Sequence, residues 1–238
     1  IIKAALTRAI AEKKEYTDDC AAVEAMGVKV HLSKGSPENI KITGGNVTLK
    51  TVDDDDIYIG NGQEEAEIDP SKLFGTITKL NKDDNPVDEI VQDFDIIING
   101  QSVNSKNYNN ILGGTLCYDI EEKTLKLKEG QFINGALIIK APEDVSIDLE
   151  ADASHVVNGD LTVNGAKDVK VTKLADGGAA AAIQGKAEIS CSGDVILENW
   201  GGSRGDGRNL ITNGLTVHRA NMVTTEGGIS GETIIDCI

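Results

Sequence analysis

Aromatic residues are scarce in this chain of 238 residues: Phe, Tyr and Trp together make up 3%, against 39% hydrophobic residues overall. A core anchored on large rings is thereby excluded, and Val, Ile, Leu and Ala have to fill the interior. Basic residues are also few, 23 Lys and Arg against 39 Asp and Glu, for a formal net charge of −16. Such a field repels phosphate backbones and argues against a nucleic-acid partner. No apolar run is long enough to span a bilayer and no signal peptide is recognisable, so membrane insertion by a helix is not expected. The four cysteines, Cys20, Cys117, Cys191 and Cys237, lack C-x-x-C spacing and a nearby His, which argues against a zinc site. Cys191 and Cys237 share a repeat position two turns apart and read as small buried ladder residues, not as a disulfide.

What the chain has is repetition. F132-I-N-G-A-L-I-I-K-A-P-E-D-V-S-I147 lies over V156-V-N-G-D-L-T-V-N-G-A-K-D-V-K-V171, and A182-I-Q-G-K-A-E-I-S-C-S-G-D-V-I-L197 follows as a third copy. I229-S-G-E-T-I-I-D-C237 is a partial fourth. Self-similarity near this period marks stacked supersecondary units. Each copy holds two runs of alternating apolar residues, such as Leu161, Val163 and then Val169, Val171, which read as strands. Neither run buries its face alone, whereas stacking gives every strand a neighbour. Asn164-Gly165-Ala166 supplies a corner where positive φ is cheap. The sequence therefore predicts an all-β chain: a single-stranded parallel β-solenoid.

Residues 1–27 differ. Ile2, Leu6, Ile10 and then Ala22, Val23, Met26 recur at helical spacing, Thr17-Asp18-Asp19 offers an N-cap and Gly27 a stop. They are expected to form an N-terminal helical cap over the first strand edge. The solenoid is expected over 28–238, with loop insertions near 60–72, 99–111 and 200–209. Ile1 in place of Met reads as a processed or excised chain, and Ile238 falls in mid-turn. The helix, the strand G27-V-K-V-H-L32 and the later turns together resemble the start of right-handed parallel β-helix proteins, the pectate-lyase-like superfamily. That resemblance implies a right-handed coil, and its lyase and hydrolase members imply carboxylates, a cation and a basic residue on one solvent-facing sheet.

Candidate chemistry is thin, and no catalytic residue is assigned. Asp53, Asp54, Asp55 and Asp56, with Asp83 and Asp84, could offer oxygens to Ca²⁺, the one cofactor considered, although neither run has a known calcium-loop spacing. Trp200 could stack on a sugar ring beside the Gly-rich loop that contains Arg204-Gly205-Asp206. Asp160, Glu188, His218 and Arg219 fall at comparable turn positions and could line one face, where inverting glycosidases need two carboxyls about 6.5–9.5 Å apart. The sequence favours a non-enzymatic extracellular, cell-surface or virion-associated module, an adhesive structural surface contacting polysaccharide or a partner protein. The alternatives are a β-helix polysaccharide lyase or glycoside hydrolase, and a subunit that associates head to tail into filaments.

Overall fold

The structure is a computed structural model that describes residues 22–26, 29–32, 40–43, 45–50, 75–81, 83–174, 180–201 and 209–238. Among these the only helical element is a 3₁₀ turn at Leu112–Gly114; the remainder is strand and corner. Two units divide at Phe94, with Asn104–Lys106 returning to the first.

The first unit holds a four-stranded sheet in the order Ala22–Met26, Gly45–Lys50, Gly75–Leu80, Pro86–Val91. Its outer pairs are antiparallel and the central pair is parallel. Lys29–Leu32 pairs antiparallel with Ile40–Thr43. This corrects the expected helix at Ala22, Val23 and Met26: the segment is strand, paired along its length with Gly45–Lys50. Short apolar spacings fit both periods, and a partner strand settles the choice over intrinsic propensity. The rest of the expected cap lies outside the described residues. Gly75–Leu80 and Pro86–Val91 form a hairpin closed by Asn81, whose side-chain oxygen accepts the N–H groups of Asp83 (3.0 Å) and Asn85 (2.9 Å).

The second unit is the parallel β-solenoid, of about four turns. Its long sheet stacks Leu137–Ala141, Leu161–Gly165, Ala187–Ser190, Leu215–Ala220 and Thr233–Cys237 in parallel. Its second sheet stacks Thr124–Leu127, Ser146–Ala151, Val169–Lys173, Asp194–Asn199 and Met222–Glu226 in parallel. A short third face runs through Ile133, Val157, Ile183, Ile211 and Ile229. The copies seen in the sequence therefore share one axis. At the upstream edge both long faces are covered by antiparallel strands, Asp93–Ile98 on Leu137–Ala141 and Leu116–Asp119 on Thr124–Leu127.

Alternation along each strand builds the interior as columns. Leu137, Leu161, Ala187 and Leu215 form one, and Ile139, Val163, Ile189 and Val217 the next, all buried. On the second sheet Leu125, Ile147, Val169 and Val195 align, as do Leu149, Val171 and Leu197. Each such side chain contributes roughly 1.5–3 kcal/mol on burial, and strands spaced about 4.8 Å apart keep like residues in contact.

The corners explain the glycine and Asp-Val landmarks. The carboxylate of Asp168 accepts the N–H of Asp194 one turn on at 2.9 Å, and that of Asp160 accepts the N–H of Lys186 at 2.8 Å. Both contacts need a glycine: a Cβ at Gly193 would lie 2.2 Å from Asp168 Oδ1, and one at Gly185 2.1 Å from Asp160 Oδ1.

Candidate functional site

Of the four residues expected to share a face, Asp160, Glu188 and His218 are all exposed, Glu188 and His218 on the outward side of neighbouring strands of the long sheet. Glu188 points outward from the long sheet in register with Thr162 and Thr216, whereas His218 is in register with Ser190 and Asp236. Asp160 is engaged with the backbone of Lys186, whose ammonium lies 3.4 Å from Glu188. Arg219, in a left-handed conformation with φ of 63°, turns to a corner of an earlier turn and meets Glu143 at 2.7 Å.

Asp83 and Asp84 occupy the exposed hairpin organised by Asn81, while Asp53, Asp54, Asp55 and Asp56 lie outside the described residues. Among the described residues no group of three His, Cys, Asp or Glu could hold a metal ion. Opposite charges pair with one another: Lys123 with Asp144 one turn on at 2.6 Å, and, within one hairpin, Lys126 with Asp119 at 3.0 Å and with Glu122. The Lys123 contact holds the Asp144 carboxyl below its ordinary range, and Glu122, then Asp119, push the Lys126 ammonium up. These pairs are largely exposed, and such bridges contribute at most about 1 kcal/mol each.

Trp200 is 46% exposed, and its indole N–H donates to Glu198 at 3.3 Å. Arg204 and Asp206 lie outside the described residues. Among the free cysteines, Cys191 is buried, which raises its thiol pKa, and Cys237 is exposed. His155 packs edge-on against Phe132 with centroids 6.0 Å apart and meets Gln184 at 3.3 Å. Sequence reasoning missed Lys173 and Asn199, wholly buried at the end of the second sheet's strands. Burial lowers the pKa of the Lys173 ammonium. The signal was available: each follows the inward alternation of Val169-x-Val171 and Val195-x-Leu197.

Comparison with known proteins points to the other end of the chain. A family model described as IspD, 2-C-methyl-D-erythritol 4-phosphate cytidylyltransferase, matches residues 1–50. A 2-C-methyl-D-erythritol 4-phosphate cytidylyltransferase of Bacteroides thetaiotaomicron is 68% identical over 28 residues, which are 12% of this chain and 13% of that protein. The chain thus matches about one eighth of that relative's length. No solved structure matches the chain.

These matches overturn the reading of the chain as a secreted or virion-associated adhesive module. They overturn with it the polysaccharide or surface-protein partner, and the lyase, hydrolase and filament alternatives. They direct attention instead to residues 1–50, which the family model matches. The earlier reading drew its weight from repeats beyond residue 130 and took residues 1–27 for a cover. Regular stacking accounts for a scaffold and carries no information about chemistry outside it.

Proposed function

We propose that the chain handles a cytidine nucleotide and a sugar phosphate through its first fifty residues, in the manner of a 2-C-methyl-D-erythritol 4-phosphate cytidylyltransferase, and that the solenoid is a separate unit following that segment. The observation that carries this reading is the 68% identity over 28 residues to the relative of that name. Charge supports it. Residues 1–50 contain eight Lys and Arg against six Asp and Glu, so the acidic excess of the chain lies wholly beyond them. A locally positive segment suits phosphorylated substrates that the rest of the molecule repels. For the solenoid we infer shared architecture with the pectate-lyase-like superfamily, on the strength of its three faces per turn, without that superfamily's activities.

The test is pyrophosphate release when the whole chain is mixed with cytidine triphosphate, 2-C-methyl-D-erythritol 4-phosphate and a magnesium salt, alongside thermal shift with each substrate alone. Release of pyrophosphate dependent on both substrates supports the reading. Neither release nor a shift at millimolar substrate overturns it. Substrate affinity is also expected to fall as ionic strength rises from about 0.01 M to about 1 M, since the Debye length shrinks from about 30 Å to about 3 Å.

A further inference from the structure

Polar side chains interrupt one inward column of the solenoid. Ala151, Lys173 and Asn199 are in register on successive strands of the second sheet, one step beyond the aliphatic column of Leu149, Val171 and Leu197. Lys173 is 0% and Asn199 1% exposed. An aliphatic side chain would occupy this site without desolvating an ammonium and an amide, so the pair needs partners to be tolerated.

The partners are backbone groups of Ala180, Gly201 and Asn209. Lys173 Nζ donates to the carbonyl of Ala180 at 2.8 Å, and Asn199 Nδ2 lies 3.4 Å from the same oxygen. Asn199 Nδ2 also donates to the carbonyl of Asn209 at 2.7 Å, while Asn199 Oδ1 accepts the N–H of Gly201 at 3.0 Å. One amide thus holds both ends of the segment 202–208, and one ammonium holds the returning end of the segment 175–179. Register passes through undisturbed, with Trp200 N–H bonded to the carbonyl of Lys173 at 2.8 Å.

We propose that Lys173 and Asn199 form a buried clasp that fixes the backbone at Ala180, Gly201 and Asn209, the described residues next to 175–179 and 202–208. The flanking strands keep their pairing whatever the sequence or length of those segments. Asn199 acts on both ends of one segment, so its loss should open Gly201 and Asn209 together; Lys173 acts at Ala180.

Hydrogen exchange followed by mass spectrometry on the whole chain tests this. In Asn199→Leu, peptides covering Gly201 and 209–211 should exchange about tenfold faster, the size of effect expected from one buried hydrogen bond, while 161–171 and 187–197 keep their rates. In Lys173→Met the faster exchange should be confined to 180–183. Asn199→Asp retains the acceptor for Gly201 and removes the donor to Asn209, so it should release the 209–211 side alone; it also serves if the Leu variant does not fold. Shortening 202–208 by three residues should leave strand exchange unchanged in the wild type and raise it in the Asn199→Asp background. End-segment rates within twofold of wild type in all variants, or acceleration spread evenly over every turn, would overturn the clasp.

Discussion

At the scale of single residues, the solenoid is held by contacts in which one turn's side chain completes the next turn's backbone. Asp168 and Gly193 are such a pair. Gly193→Ala should cost about 1–3 kcal/mol, because the new methyl collides with Asp168 Oδ1 and with the carbonyl of Lys167 at 2.7 Å. Asp168→Ala should cost about 1 kcal/mol for the lost bond to Asp194 N–H, and the double variant should be more stable than additivity predicts. Urea unfolding of the four proteins checks this. Lys173 makes a prediction in pH. Its folded pKa is depressed, so the native state binds fewer protons than the unfolded chain above that value. The stability deficit is complete below the depressed value and disappears as pH rises to about 10.4. Wild type should therefore gain stability relative to Lys173→Met on going from pH 7 to pH 10, read as the difference between their melting temperatures.

At the scale of elements, the upstream edge is the sensitive place. Asn99, with φ of 49°, accepts the N–H of Ile138 on its side chain at 2.8 Å and donates to the carbonyl of Ala136 at 3.2 Å. It caps the first parallel strand where the antiparallel strand ends, and Asn99→Ala should speed exchange at Ile138 without altering the columns behind it. This is also where the sequence was least legible. The parallel strands from Ile133 onward were readable, because Leu161, Val163, Val169 and Val171 alternate and their Asp and Gly landmarks return every turn. The antiparallel covers were not, since Asp93–Ile98 and Leu116–Asp119 occur once each and pair with strands distant or adjacent in the chain without a repeat to reveal it. Ala22–Met26 was misread because five residues fit either period. The candidate site was less legible still. Glu188, His218 and Arg219 sit at comparable turn positions, yet a shift of one or two residues along a strand, or one positive φ, sends each to a different neighbour.

At the scale of the whole molecule, a stack whose parallel strands pair only with those of neighbouring turns responds locally to damage. Val217→Ala should cost about 0.5–2.5 kcal/mol and loosen Leu215–Ala220 and Thr233–Cys237, while Leu137–Ala141 keeps its protection; equal loss in every turn would argue for a single cooperative block. Turn length meanwhile varies from 18 residues between Leu215 and Thr233 to 28 between Ala187 and Leu215, with register unbroken from Leu137–Ala141 through Leu215. One consequence is optical. The chain has a single tryptophan, and it directly follows Asn199, half exposed, with its indole on Glu198. Its emission is thus a native lamp at one corner: a red shift at lower denaturant than the loss of far-ultraviolet dichroism would time the opening of that corner against the melting of the stack, with no dye attached.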